Sequence, residues 1–164
     1  MSVRQFVKGT LPWSTLEAVG QEIAIRYDRQ AVRIEFLEAE NWLSTPLVVD
    51  QDWFVKVISP RNAFVHAVFT GARNLGAFSS GTPGFFEHFE DPGEMARHEL
   101  EATGSLREIG INAPEPIDAF EVEDVGVVVF DYLDGFRPLE DCSRNEIETL
   151  LPELFESLAT MHRN

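Results

Sequence analysis

The sequence predicts an α+β domain with an antiparallel sheet, because segments of helical and strand periodicity alternate along its 164 residues. Apolar strand segments occur in pairs around short polar turns, which is typical of hairpins. The predicted order is one helix, three strands, two helices, two strands and two helices. Hydrophobic residues make up 44% of the chain, so it can bury a core and is not a disordered tail.

The first helix is predicted over 14–26, with Ser14 or Thr15 as its cap. Its apolar face comprises Leu16, Val19, Ile23 and Tyr27. A strand follows in which three apolar residues alternate with polar ones, namely Val32, Ile34 and Phe36. The strands Leu47–Val49 and Trp53–Ile58 flank an Asp-Gln-Asp turn and are therefore predicted to pair.

Ser59 and Pro60 carry the signal of a helix start, a capping residue followed by proline at the first helical position. Gly76–Gly93 is rich in glycine, serine and proline, and is predicted to be a loop. The next helix is predicted over Glu94–Ile109, because Gly110 is a good C-terminal signal.

The strands Ile117–Val122 and Val125–Phe130 are predicted to form a second hairpin around an acidic turn. The tail is predicted to contain two helices, because Pro152 suits a first turn better than a helix interior. Ser143 and Glu146 stand at capping-box spacing before these helices.

Charge is the most unusual bulk property, with 28 Asp and Glu against 13 Lys and Arg and a net charge of −15. Only Lys8 and Lys56 are lysines. The negative field repels phosphates, so no direct nucleic-acid binding is expected. Scattered acids are typical of a salt-adapted, halophilic surface. A single cysteine, Cys142, and the lack of a signal core or long apolar run predict a cytoplasmic protein without a membrane partner.

Several signatures of catalytic and metal sites are missing from the sequence. It contains no Gly-x-Gly-x-x-Gly and no Walker-type motif. His98 and Glu99 begin like a zinc-protease helix, but Ala102 occupies the place of the second histidine. The histidines lack ligand spacing, so no metal site is predicted within the chain.

Lys56 lies in the middle of a strongly apolar strand, on the same face as Phe54 and Ile58. Burial of an ammonium without a partner costs roughly several kcal/mol, so we expect a carboxylate beside it. The alternative is an edge strand from which the Lys56 side chain extends into solvent. The strand alone does not decide between the two.

The helix predicted over Glu94–Ile109 offers a carboxylate partner for Lys56. One of its faces comprises Ala96, Glu99, Ala102, Thr103 and Leu106. Glu99 is the one acid on this stripe, either at its exposed rim or reaching a buried base. A pair between Glu99 and Lys56 would offset the cost of burying each charge on these adjacent elements, which favours the pair.

These residues resemble the small lobe of the protein-kinase-like fold, most closely the RIO-type and related lipopolysaccharide or aminoglycoside kinase-like families in a form like that of halophilic archaea. Val55-Lys56-Val57 is similar to the third-strand motif whose lysine binds the α- and β-phosphates of ATP. The segment from Arg97 to Pro114 is similar to the helix-C region. The likeness covers about residues 31–164.

The resemblance implies roles for five residues. Lys56 would orient the ATP phosphates and Glu99 would hold Lys56. Phe130 falls at the gatekeeper position, and Asp131 and Leu133 would offer a carbonyl and an amide to adenine. The γ-phosphoryl group would pass to a serine or threonine hydroxyl of a protein substrate, with magnesium bound by ligands outside this chain.

The resemblance also implies a domain division. Residues 1–30 would be an N-terminal helical extension, and 31–134 the small lobe with an inserted helix and loop at about 59–93. Residues 135–164 would be a linker and the first helices of a large lobe. The chain ends before a catalytic loop and a metal-binding Asp, so we expect it to be inactive alone.

Two other interpretations stay open. Leu37–Pro46 contains no glycine where a phosphate-covering loop is expected, which favours a kinase-shaped module that works through protein contacts. Phenylalanines of the insertion would dock a partner there, or would simply pack under the added helix; they are Phe64, Phe69, Phe85, Phe86 and Phe89. In the third interpretation, Lys56 and Glu99 form a purely structural ion pair within an α+β domain.

Overall fold

The α+β prediction is confirmed by a computed structural model, which describes residues 11–37, 43–64, 66–67, 70, 89, 91–135 and 139–163. Five antiparallel strands form one sheet in the order β1-β2-β3-β5-β4. The strands are β1 Ile34–Phe36, β2 Thr45–Val49, β3 Trp53–Ile58, β4 Pro116–Val122 and β5 Val125–Asp131. The helices are α1 Trp13–Arg26, α2 Pro92–Glu108 and α3 Arg144–Arg163, with a short 3₁₀ helix at Leu139–Asp141.

Both predicted hairpins are present, and their turns show why the strands pair in this register. Asp50 and Gln51 both have positive φ angles, of 54° and 63°, which match the right-handed twist of the strands that they join. Glu123 adopts a φ of 54° in the turn between β4 and β5. Val49 is thereby paired with Trp53, and the rest of the β2–β3 register follows.

One face of the sheet is covered by α1, which the sequence assigns to an extension before the small lobe. Leu16, Val19 and Ile23 are buried as predicted, against alternate residues of β2, β3 and β5. The predicted cap is wrong, because the helix begins after Pro12 with no side-chain cap. The buried Thr15 hydroxyl instead donates a hydrogen bond of 3.4 Å to Glu123.

The other face of the sheet is covered by α2. Asp91 caps this helix by accepting a hydrogen bond of 2.7 Å from the Glu94 amide, and Pro92 occupies the first turn. The helix therefore begins two residues before the predicted start. Gly126 lets its first turn approach β5, since a Cβ there would collide with the Pro92 carbonyl. This close approach sets the height of α2 above the sheet.

The C-terminal segment differs from its prediction in one respect. Ser143 and Glu146 form the predicted capping box, but a single helix, α3, continues through Pro152. The helix can continue because the φ of proline is compatible with a helix, although the proline ring removes one backbone hydrogen bond. No described side chain of α3 is buried. None of the described helices has the length and apolar character needed to cross a bilayer.

The predicted insertion is described only in part. Residues 60–64, 66–67 and 70 are helical, and the Ser59 hydroxyl accepts a hydrogen bond of 3.3 Å from the Asn62 amide, which confirms the predicted cap. Phe64 is exposed and Phe89 is half-buried. Phe69, Phe85, Phe86, residues 76–88 of the predicted loop and residues 38–42 between β1 and β2 lie outside the described residues.

Two isoleucines of α1 provide a matched test of its packing on the sheet. Ile23 is fully buried, whereas Ile25 is 75% exposed. We expect Ile23→Ala to lower the free energy of unfolding by about 2–5 kcal/mol, because it leaves a cavity in the core. Ile25→Ala should change it by less than about 0.5 kcal/mol. Urea unfolding followed by circular dichroism measures both; equal effects would contradict this packing of α1.

A second prediction concerns alkaline stability. Burial of the Tyr27 hydroxyl raises its pKa to about 12; the charge of Asp118 acts in the same direction and that of Arg26 opposes it. The unfolded chain releases this proton near its ordinary pKa of about 10. The contribution of Tyr27 to the unfolding free energy is therefore fully present below that pH, and it is lost as the pH rises toward 12.

The control for this prediction is Tyr27→Phe. The Tyr27 hydroxyl is buried without a hydrogen-bond partner among the described residues, so its removal should be neutral or stabilising at pH of about 7. Urea unfolding at about pH 9 and about pH 11 should show a larger decrease in stability for the wild type than for Tyr27→Phe. Identical decreases would show that Tyr27 is not the titrating group.

Candidate functional site

Lys56 lies on a central strand of the sheet. On β3 it is paired with Pro46 of β2 on one side and with Val128 of β5 on the other. The edge-strand alternative is therefore wrong for this lysine. Its chain neighbours Val55 and Val57 are fully buried on the α1 face, so strand alternation directs Lys56 to the α2 face.

The predicted partner of Lys56 is present. The Lys56 Nζ donates a hydrogen bond to Glu99 Oε1, and the two groups form an ion pair between β3 and α2. The side chains are 24% and 32% exposed, respectively, so both are partly withdrawn from water but not sealed. The ammonium in this position is anchored by one carboxylate.

Aromatic rings and helix α2 surround this ion pair. The ring centroids of Phe54 and Phe130 each lie 5.6 Å from Lys56 Nζ, within the range in which a ring face attracts a cation. Phe130 is buried, and the two rings stack with centroids 6.3 Å apart. The Thr103 hydroxyl donates a 2.8 Å hydrogen bond to the backbone carbonyl of Glu99. Lys56 Nζ therefore bonds to one carboxylate and lies near two aromatic rings.

The predicted inner face of α2 is correct except at one position. Ala96 is buried and Glu99, Thr103 and Leu106 are half-buried, but Ala102 is exposed. Met95 is buried instead, in the cluster that contains Ile58 and Phe130. The helix is rotated toward the side of Met95 because its first turn rests on β5, a contact that helical spacing alone does not encode.

The segment after β5 comprises residues 131–133, that is, the last residue of β5 and the two that follow, and its backbone bonds to residues that directly precede β3 and β4. The Tyr132 amide donates a hydrogen bond of 3.0 Å to the Asp52 carbonyl, and the Asp131 amide donates one of 3.0 Å to the Glu115 carbonyl. The Asp131 carboxylate in turn accepts a hydrogen bond from the Glu115 amide. The segment is therefore fixed at its amides to β3 on one side and to the approach to β4 on the other.

This pattern leaves one acceptor and one donor available. Because Tyr132 bonds to Asp52, the Trp53–Asp131 pair is of the non-hydrogen-bonded type, and the Asp131 carbonyl points away from β3. The Glu115 amide that would meet this carbonyl is bonded to the Asp131 carboxylate. Within the described residues, neither the Asp131 carbonyl nor the Leu133 amide has a hydrogen-bond partner.

The structure brings Lys56, Glu99 and Phe130 together, and places Asp131 at the end of the strand that carries Phe130 and Leu133 two residues later. No group of three acidic, histidine or cysteine side chains in the described part of the chain is arranged to hold a metal ion. The chain matches no family model, no curated protein and no solved structure. The functional assignment therefore depends on the geometry of the residues.

Two contributors to the site were not predicted as such. Strand alternation places Phe54 on the face of Lys56, but it does not predict the contact between the Phe54 ring and the ammonium. The sequence places Asp52 in a turn, but it does not predict the hydrogen bond between the Asp52 carbonyl and Tyr132. Strand alternation signals the first contact, whereas the second depends on the β3–β5 register, which no local pattern reveals.

A double-mutant cycle tests the energetic role of the ion pair. We expect Lys56→Met and Glu99→Gln to be coupled by about 1–3 kcal/mol in unfolding free energy, because each single change leaves a partly buried charge uncompensated. The exposed pair Arg97–Glu121, with side chains 52% and 53% exposed, is the matched control and should show much weaker coupling. Equal coupling in the two cycles would contradict a special role for Lys56 and Glu99.

Proposed function

We propose that this chain binds ATP in the manner of a kinase-like small lobe, with Lys56 directed at the phosphates. The observation that carries the proposal is the ion pair between Lys56 on the third strand and Glu99 on the helix between β3 and β4. In protein kinases a third-strand lysine paired with a helix-C glutamate is required for phosphoryl transfer. The resemblance and the geometry thus agree on the same two residues.

The energetics favour a functional over a structural ion pair. An apolar residue at position 56 would match Phe54 and Ile58 on the same strand, and hydrophobic replacement of buried ion pairs is often neutral or stabilising. The chain also has only two lysines among its 13 basic residues. A lysine kept in the middle of this sheet, with a side chain that is 24% exposed, is suited to meet an anion.

The segment after β5 supports adenine as the base. The Asp131 carbonyl requires a donor and the Leu133 amide requires an acceptor. Adenine presents an amino group beside an unprotonated ring nitrogen, whereas guanine presents a carbonyl beside a protonated one. The two groups therefore match adenine and oppose guanine, and the apolar Phe130 directly precedes Asp131 in β5.

We further propose that this nucleotide site belongs to a RIO-like serine/threonine kinase or a related phosphotransferase. Lys56 would neutralise charge on the phosphates and Glu99 would keep the ammonium in place. Magnesium would shield phosphate charge during transfer, but the described residues include no ligand group for it. We therefore assign to this chain only the binding and orientation of the nucleotide.

Calorimetric titration with ATP tests the proposal. The net charge of −15 repels ATP, so the titration is best done in about 1 M potassium chloride, where the Debye length is about 3 Å. We expect saturable binding that Lys56→Ala weakens by about 10- to 100-fold, the value of a lost charge-assisted hydrogen bond. ATP should bind more tightly than GTP.

Two further variants separate the explanations. Arg97→Ala removes an exposed cation of α2 and should leave ATP affinity unchanged. The double variant Lys56→Ala with Glu99→Gln removes the repulsion between the freed carboxylate and the phosphates, and should still bind weakly. No binding by the wild type, or equal binding by Lys56→Ala, would leave the ion pair with a structural role only.

A further inference from the structure

The end of α1 contacts the turn that fixes the segment after β5. The Tyr27 and Trp53 rings stack with centroids 4.5 Å apart and planes 25° apart. The Arg29 guanidinium carbon lies 5.3 Å from the centroid of the Trp53 ring, and Arg29 Nη2 lies 2.8 Å from Asp52 Oδ2. Two side chains of α1 and its C-terminal turn therefore hold two adjacent residues at the start of β3.

Those two residues lie directly beside the proposed adenine contacts. The Asp52 carbonyl accepts the hydrogen bond of the Tyr132 amide, and Trp53 is paired with Asp131 across the β3–β5 ladder. Tyr132 stands between the Asp131 carbonyl and the Leu133 amide in the chain. Any displacement of Asp52 is transmitted through this one hydrogen bond to the residue between the two proposed base contacts.

We infer that Tyr27 and Arg29 are positioning residues for nucleobase recognition, acting through Asp52 and Trp53 on the segment 131–133. This inference rests on the proposed ATP-binding function and assigns to α1 a role in the choice of base. Lys56 lies on the opposite face of β3 from the α1 contacts. The phosphate part of the site should therefore not respond to changes at Tyr27 or Arg29.

Comparison of ligands with and without a base provides the test. Full-length variants are titrated by calorimetry with ATP, GTP and inorganic tripolyphosphate. Arg29→Ala and Tyr27→Ala should raise the Kd for ATP about three- to tenfold and reduce the preference for ATP over GTP, since each removes a ring contact or its ion pair. The Kd for tripolyphosphate should stay within about twofold of the wild-type value.

Conservative variants and a control complete the series. Tyr27→Phe keeps the ring stack and should retain the wild-type Kd for ATP. Arg97→Ala, which removes an exposed ion pair with Glu121, should change the Kd of neither ligand. An unchanged Kd for ATP in both alanine variants would overturn the inference, as would an equal loss of ATP and tripolyphosphate affinity, which would mark a general structural effect.

A measurement without ligand separates this inference from the proposed function. Amide hydrogen exchange followed by NMR should be about tenfold faster at Tyr132 in Arg29→Ala than in the wild type, with the Val128 amide of β5 unchanged. Faster exchange at Tyr132 in a protein that binds no ATP would refute the nucleotide proposal but retain the coupling. Unchanged exchange at Tyr132 would refute the coupling, whatever the affinity for ATP.

Discussion

Side-chain alternation along β3 is the constraint on which the rest of this structure depends. β3 is paired on both edges, and each of its faces is covered by a helix. Val55 and Val57 are committed to the core beneath α1, which leaves Lys56 on the α2 face. A shift of one residue in register would place the ammonium under α1 and the two valines on the α2 face, so the hydrophobic core itself determines where the charge lies.

The cost of that charge explains the arrangement around it. A half-buried ammonium requires a carboxylate, and Glu99 supplies one from the half-buried side of α2. The rings of Phe54 and Phe130 add a favourable environment for a cation. Because the two side chains are only partly withdrawn from solvent, the pair differs from one sealed in a core, and this partial exposure is compatible with the proposed phosphate site.

The two helices have different relations to the proposed site. Helix α2 carries the partner of Lys56 directly, and its height is set by the close approach of Pro92 to Gly126. Helix α1 contacts no proposed ligand-binding group, yet Tyr27 and Arg29 at its C-terminal end meet the turn beside the segment after β5. The proposed phosphate contact and the proposed selection of a base would thus be supported from opposite faces of one sheet.

The local patterns of the sequence were sufficient for most elements of the fold. Alternation, short apolar runs around polar turns and helical spacing predict the five strands, α1 and α2, and two residues predict the capping box at Ser143. Local signals failed where two of them competed. Ser14 and Thr15 suggest a cap, but both lie inside α1 and Thr15 bonds to Glu123. Pro152 suggests a helix start, but one helix passes through it.

The sequence by itself indicated that Lys56, if buried, needs an acid and that Glu99 is the candidate, because burial of either charge alone is costly. Only the tertiary structure decided that β3 is central, that α1 belongs to the core and that Asp52 binds the segment after β5. These features arise from pairings between residues far apart in the chain. Such pairings are set by the packing of the whole sheet, and local periodicity carries no record of them.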